Sequence, residues 1–239
     1  MSARILIEVA VGGAEGARVA YECGADRIEL NAALELGGLT PSPGALMEVR
    51  RATPQPVVAM VRPRAGGFVY SADEFRTMER DVELMLEHGA DGVAFGVLTA
   101  DGRIDPGRCR SLVRRVEGRG HGVFHRAFDR TPDPLTALDQ LIDLGITRVL
   151  TSGQRASAAE GADLIRRLIE RARGRVGVLP GGGITARNAG EVVARTGAAQ
   201  VHGSFSERRS DPAGPVGEGG YVVTSARELR ETRAALARL

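Results

Sequence analysis

Side chains suited to acid–base and anion chemistry recur in this 239-residue chain within short apolar runs that lead into Gly-, Pro- or Ser-rich stretches. Glu8 lies in Ile5-Leu6-Ile7-Glu8-Val9, and Glu29 sits between Arg27 and Asn31 in Arg27-Ile28-Glu29-Leu30-Asn31. Read as strands, whose side chains alternate between two faces, Leu6 and Glu8 share one face, as do Arg27, Glu29 and Asn31. If the two strands are neighbours in register, Glu8 and Glu29 stand roughly 5 Å apart at the backbone. Carboxylates that near share a proton, bind a cation, or pair with Arg27 and Arg62. A buried salt-bridge network would use the same residues, and both readings stay open.

Further along, Met60-Val61-Arg62-Pro63-Arg64 ends a β-rich run with two same-face arginines, an arrangement that attracts an anion. Gly66-Gly67-Phe68-Val69-Tyr70 then supplies a flexible loop with an aromatic wall, a lid candidate. Phe124-His125-Arg126-Ala127-Phe128-Asp129 offers an imidazole for general acid–base work near neutral pH, with a carboxylate to orient it. Gly181-Gly182-Gly183 and His202-Gly203-Ser204 close two later runs, and glycines let backbone N–H groups approach an anion. Thr151-Ser152-Gly153-Gln154 adds hydroxyl and amide donors. A tight strand-to-helix turn without a ligand is the alternative reading of the glycines.

The elements that position these groups are read from periodicity. Eight β-rich runs (5–9, 27–30, 57–62, 92–98, 122–125, 148–151, 177–179 and 199–202) alternate with eight helical patterns (14–23, 43–52, 71–88, 106–116, 134–144, 158–172, 186–196 and 225–235). Ser42-Pro43, Asp105-Pro106, Asp133-Pro134 and Thr185 mark helix starts, and Ser71 with Glu74 has capping-box spacing. Gly24, Gly89, Gly145 and Gly197 mark helix ends. Eight βα units in a chain near the usual length of about 250 residues predict an α/β fold, a (β/α)8 barrel of the TIM type, as a single domain over 1–239. An open doubly wound sheet is disfavoured because Val11-Gly12-Gly13 is no dinucleotide fingerprint. Residues 206–220 read as a loop before the last helix.

In such a barrel the C-terminal strand ends converge on one pocket. The candidate catalytic groups are therefore Glu8, Glu29, His125 and Asp129. Asn31, Arg62, Arg64, Arg126, Ser152, Gly181, Gly182, Gly183, His202 and Ser204 are the candidate substrate contacts. His121 and His125 lie at opposite ends of one strand and cannot chelate one ion. Glu8, Glu29, His125 and His202 could do so only if the fold turns them inward.

Composition restricts the chemistry. All 32 basic residues are Arg, so a lysine imine and a PLP–lysine aldimine are excluded. Cys23 and Cys109 are the only thiols, too few for a disulfide framework or a four-cysteine zinc site. A net charge of +2 with interspersed signs gives no footprint for nucleic acid or membrane surfaces, and no apolar run is long enough to span a bilayer. The N-terminus lacks signal-peptide organisation, so the expected location is the cytoplasm. The expected partner is a small anionic metabolite, with a homo-oligomer allowed.

Several of these strings resemble the CutC-type copper homeostasis family. They are Asp26-Arg27-Ile28-Glu29-Leu30, Leu36-Gly37-Gly38-Leu39-Thr40-Pro41-Ser42, Val61-Arg62-Pro63-Arg64, Phe124-His125-Arg126-Ala127-Phe128-Asp129 and Arg148-Val149-Leu150-Thr151-Ser152-Gly153-Gln154. The resemblance runs from Glu8 to about Ser204. It implies a cytoplasmic TIM-like barrel associated with copper. Many members carry Cys after the Glu-Leu of the second strand, where this chain has Asn31, so the resemblance implies copper while this sequence lacks that soft ligand. Three functions follow: the first is an enzyme moving a proton on a small phosphorylated or carboxylated metabolite (an isomerase, epimerase or lyase), and the second a copper-binding or buffering protein. A metabolite sensor without catalysis is the third.

Overall fold

The computed structural model describes residues 4–214 and 220–239. In chain order its main elements are β1 (Leu6–Val11), α1 (Ala14–Glu22), β2 (Arg27–Leu30), α2 (Pro43–Ala52), β3 (Val57–Met60), α3 (Ala72–Glu87), β4 (Gly92–Phe95) and α4 (Pro106–Val116). They continue with β5 (His121–Phe124), α5 (Pro134–Asp143), β6 (Arg148–Thr151), α6 (Ala162–Ala172), β7 (Gly177–Pro180), α7 (Ala189–Thr196), β8 (Gln200–Gly203), β9 (Ser206–Arg209), β10 (Tyr221–Thr224) and α8 (Ala226–Leu236). The first eight strands form one parallel sheet in the order β7-β6-β5-β4-β3-β2-β1-β8. At the remaining seam, a single parallel bridge joins Gly181 to His202, and Gln200 Nε2 donates to the Val178 carbonyl at 3.3 Å. The result is a nearly closed (β/α)8 barrel in one domain.

Local signals explain most boundaries. The Ser42, Asp105 and Asp133 side chains accept first-turn N–H groups of α2, α4 and α5, each with proline in its first turn. Ser71 and Glu74 complete a reciprocal capping box on α3. Gly24, Gly89, Gly145 and Gly197 take φ values of 81°, 92°, 82° and 72°, the left-handed region that ends a helix at low cost in glycine.

The apolar faces sort into two groups. Outward-facing residues such as Ile7, Val9, Ile28, Phe95 and Val149 pack under the helices, while Val58, Met60, Ala94 and Val123 form a small cluster inside the barrel on β3–β5. The opposite interior wall, β8–β1–β2, is polar. In barrels, alternate strands contribute successive interior layers. Tracing the registers around the ring puts Glu29 and His202 in one layer with Ala94 and Leu150.

Several expected boundaries move. β3 and β4 stop at Met60 and Phe95 rather than Arg62 and Leu98; the Arg62 amide leaves the ladder to donate to Thr40 Oγ1 at 3.0 Å. β5 is His121–Phe124, one residue earlier than read, so His125 begins the following 3-10 turn, Arg126–Arg130. α6 starts at Ala162, after a turn in which Ser157 Oγ donates to Glu160. α7 starts at Ala189 because Asn188 accepts from the Thr185 amide and donates to the Gly183 carbonyl, folding that stretch into a turn.

The stretch read as a loop over 206–220 opens with β9, which pairs antiparallel with β10 just beyond it; residues 215–219 lie outside the described ones. This ribbon docks on α1. Arg209 pairs with Glu15 at 2.8 Å, and a Cβ on Gly16 would lie 2.7 Å from Thr224 Oγ1.

Two glycines respond oppositely to the same change. A Cβ on Gly161 would lie 1.9 Å from the Ser152 carbonyl oxygen, whereas one on Gly190, inside α7, would meet nothing within 4 Å. Gly161→Ala is expected to cost about 1–3 kcal/mol through forced backbone displacement. Gly190→Ala is expected to stabilise by about 0.5–1 kcal/mol through helix propensity. Urea denaturation midpoints of the two variants should therefore move in opposite directions.

Candidate functional site

The polar wall of the barrel gathers Glu8 from β1, Arg27 and Glu29 from β2, and Gln200 and His202 from β8. Glu8 is 1%, Glu29 3% and His202 8% exposed. The register sets Glu8 opposite Arg27 and Ala10 opposite Glu29, so the two residues are not backbone partners as the in-register expectation had them, although their carboxylates still approach within 4.8 Å. The offset places Arg27 against Glu8, with its Nε donating to Glu8 Oε2. His202, 194 residues away, is opposite Glu8 on the other side and hydrogen-bonds Glu8 Oε1 through Nδ1 at 2.8 Å.

Across the imidazole, Nε2 is 3.8 Å from Glu29 Oε2. Asn31 Nδ2 donates to the same Glu29 oxygen at 3.0 Å, and Glu29 Oε1 is buried with no partner.

These contacts divide the protons. For Glu8, burial favours the neutral acid, but the His202 hydrogen bond and the Arg27 charge outweigh it and bring the pKa down to about 2. Burial, helped by repulsion from Glu8, raises Glu29. His202 is raised: burial disfavours its cation, but Glu29 and Glu8 overcome that. Arg148, which shares the interior face of β6 with Leu150 and Ser152, keeps buried Nε and Nη2 groups without partners. Burial and the nearby Arg27 charge lower it to about 10. Arg148 was absent from the candidates, although its parity with Ser152 was available to find it.

His125 occupies the other side of the mouth. Its Nδ1 accepts from the Ala127 amide at 3.1 Å, so the ring proton belongs on Nε2, which is buried and unpartnered. Burial and the Arg62 charge push its pKa down to about 3, leaving a neutral ring. Phe68 of the candidate lid packs on it, with ring centroids 5.0 Å apart.

The expected pairing of His125 with Asp129 does not form. Asp129 instead accepts from Thr151 Oγ1, the Ser152 amide and hydroxyl, the Gln154 amide and Arg126 Nε, tying the 3-10 turn to the loop after β6.

The two arginines expected to act as a cation pair separate. Arg62 is buried and donates to the Leu36, Gly38 and Gly66 carbonyls, with Nε unpartnered. Arg64 points outward to Glu74 and to the carbonyls of Ala65, Gly67 and Val69, so its guanidinium organises the lid loop. Arg126 Nη2 donates to Ser152 Oγ at 2.8 Å, and its Nη1 borders Gly182.

The glycine run has packing reasons of its own. A Cβ on Gly181 would lie 2.5 Å from Leu150 Cδ1 and 3.2 Å from His202 Cδ2, while Gly182 and Gly183 have φ of 100° and 69°.

A groove of 730 Å³ opens at this end, lined by Ala10, Gly12, Gly13, Leu34, Ser204 and Tyr221 among others. Ala10 is the register partner of Glu29, and Ser204 lies two residues beyond His202. The groove thus borders the polar wall. Its β10 side lies between the loop read over 206–220 and the last helical pattern, where the sequence reading assigns no element.

Among the described residues, one group of His, Cys, Asp and Glu side chains has metal-ligand geometry: Glu8, Glu29 and His202, whose donor atoms lie within 4.8 Å of one another. His125 is not in it. The donors are oxygen and nitrogen. Cys23 is buried at the end of α1 beside the Ala226 carbonyl, and Cys109, buried on α4, has its thiol pushed up by burial to about 12. Neither offers a thiolate to the mouth, so these residues do not fit a Cu(I) centre.

The profile of the CutC family matches residues 5–207. The chain belongs to the CutC family. A family protein CutC of Treponema denticola is 53% identical over 209 residues, covering 87% of this chain and 85% of that protein. The copper homeostasis protein cutC homolog of Homo sapiens is 48% identical over 204 residues, covering 85% and 74% respectively. A crystal structure of a CutC protein from Streptococcus agalactiae superposes with a TM-score of 0.80 at 34% identity, covering 84% of this chain and 98% of that one. Thiamine phosphate pyrophosphorylase from Pyrococcus furiosus, at 15% identity and TM-score 0.62, shares the barrel fold.

The neutral state of His125 has a measurable consequence. Its folded pKa of about 3 lies below the ordinary 6.5, so between those values the unfolded chain binds a proton that the folded chain refuses. Stability therefore falls as pH drops below 6.5, by up to about 1.4 kcal/mol per pH unit for one proton. His125→Gln should lose less stability than the parent between pH 7 and pH 5 in urea titrations; parallel losses would contradict a buried neutral imidazole.

Proposed function

We propose that the barrel mouth binds a small anionic metabolite bearing a carbonyl group and moves a proton on it, as an isomerase, epimerase or lyase does. One observation carries this reading: the same barrel holds a buried carboxyl whose pKa is raised and a buried imidazole whose pKa is lowered, each with an unpartnered atom. Environments that drive two titratable groups apart are how a site assigns acid and base roles at neutral pH.

In this reading Glu29 Oε1 takes the proton. Asn31 steadies the carboxyl, and Glu8 and Arg27 hold His202 behind it. Neutral His125 donates its Nε2–H to the substrate carbonyl, with the Arg62 charge favouring the developing oxyanion. Arg126, Ser152 and the Gly182 backbone receive the anionic group, and the groove beside Ser204 takes the remainder. Access to His125 requires Phe68 to swing aside, a loop motion of the kind that also excludes water on closing. With no lysine in the chain, the reaction proceeds without an imine.

The names of the relatives tie them to copper homeostasis. We carry that association to this protein at the level of its family, without a tight Cu(I) centre, because Asn31 and the remote thiols leave the mouth without soft donors. The reading also keeps the protein in the cytoplasm, acting on a metabolite rather than on nucleic acid or a membrane. Among the described residues no helix is long and apolar enough to cross a membrane.

Thermal-shift screening of phosphorylated sugars and 2-oxo acids should identify anions that raise the Tm, an effect that Arg126→Ala removes. With such a ligand in D2O, NMR should record enzyme-dependent deuterium incorporation. Glu29→Gln should keep the thermal shift but slow exchange by about 10²–10⁴-fold. If no anion shifts the Tm, or if the variant exchanges at the parent rate, the reading fails. Separately, competition against a chromophoric Cu(I) chelator should reveal no tight stoichiometric Cu(I), with Cys23→Ala behaving as the parent.

A further inference from the structure

The spacing between His202 and Glu29 is chemically specific. Nε2 and Oε2 stand 3.8 Å apart. That is too long for a hydrogen bond of about 2.7–3.2 Å, and too short for a bridging water, which needs roughly 4.5–5.5 Å to make two such bonds. Two ligands on one tetrahedral ion, with bonds of about 2.0–2.1 Å, stand about 3.4 Å apart. A shift of a few tenths of an ångström brings both donors onto one cation.

The surroundings match. Glu29 is 97% buried by its 3% exposure, yet its Oε1 has no partner. Opposite the proposed ion, His202 Nδ1 meets Glu8 Oε1 at 2.8 Å, and Glu8 is itself held by Arg27. A carboxylate on the far nitrogen of a metal-binding imidazole fixes its tautomer and orientation and increases its basicity. Asn31, in contact with Glu29, offers an amide oxygen after a 180° turn of its terminal torsion. Nitrogen and oxygen donors suit Zn²⁺ or Mn²⁺.

We propose that His202 Nε2 and Glu29 Oε2 hold a divalent cation on the barrel axis, with Glu8 as the positioning residue behind the imidazole. The cation replaces the proton on Nε2. So few protein ligands leave coordination positions open, which selects an anion that chelates through oxygens on neighbouring carbons, such as an α-hydroxy ketone or α-hydroxy acid. This deepens the proton-transfer reading and rests on it for the substrate class. Glu29 then gives Oε2 to the cation and keeps Oε1 for the proton; the cation makes Glu29 a weaker base than it is alone, and offsets this by acidifying the chelated substrate. The positive charges of Arg27 and Arg148 make the loaded site strongly cationic, and an anionic substrate balances it.

Zn²⁺ alone is the probe, because Cu²⁺ outcompetes other divalent ions at most nitrogen–oxygen sites. Calorimetric titration of the chelator-treated full chain should give one Zn²⁺ per chain. His202→Ala should weaken binding at least 100-fold, and Glu8→Gln by about 10–100-fold, as removal of an outer carboxylate does. Arg126→Ala should leave it unchanged. X-ray absorption on the loaded parent protein, which does not depend on any variant folding, should show imidazole nitrogen and carboxylate oxygen without sulfur. Absence of a stoichiometric site, a sulfur shell, or indifference to His202→Ala would overturn the cation site. If Arg126-dependent anion binding persists in that case, the metabolite reading survives the loss.

Discussion

Burial of an ionised Glu8 inside the barrel is the constraint around which the rest of the molecule is arranged. A carboxylate taken from water into a protein interior costs several kcal/mol unless its oxygens are matched by charge-assisted donors. Here Arg27 covers one oxygen and His202 the other. The two partners come from the strands on either side, β2 and β8, so the ion cluster also ties the first strand to the last one in the barrel. Its neighbour Gly181 makes the bridge with His202 that completes the ring. Compensation of one charge and closure of the sheet are thus local to the same few residues.

That arrangement leaves the interior unevenly filled. On β3–β5 the barrel is packed with Val58, Met60, Ala94 and Val123, a wall that fixes the shape without polar atoms. On the β8–β1–β2 side, charge replaces hydrocarbon, and small residues such as Ala10 and Ser204 at the mouth make room for a groove of 730 Å³. A site built on strands rather than on loops holds its groups in narrow geometry. Two further parts of the mouth are the lid loop and the β9–β10 ribbon. Arg64 braces the lid through its carbonyls, and the Gly16 contact lets the ribbon approach α1.

The arginines show how context assigns different work to one residue type. Arg27 neutralises a carboxylate, Arg62 threads backbone carbonyls beneath the mouth, Arg64 staples a loop, and Arg126 keeps part of its guanidinium beside Gly182. The rigid, permanently charged fork suits each task, and an ammonium would not reproduce the multiple carbonyl contacts. Asp129 shows the same lesson with the opposite charge. Its position beside His125 in sequence suggested an acid–base partner, but the 3-10 turn swings it onto Thr151, Ser152 and Gln154.

The sequence by itself determined the eight βα units, the caps at Ser42, Ser71, Asp105 and Asp133, the absence of lysine chemistry and the family, because all of these are written in local periodicity, local hydrogen bonding or residue identity. It also placed Glu29, His125 and His202 at strand ends. Only the tertiary structure decided that Glu8 faces Arg27 rather than Glu29, that His202 reaches Glu8 from 194 residues away, that Arg62 and Arg64 part company, and that residues 206–209 and 221–224 pair as a ribbon. Register and ring closure depend on how distant strands slide against one another to bury their faces. A two-residue offset leaves every local pattern intact while changing which charges meet.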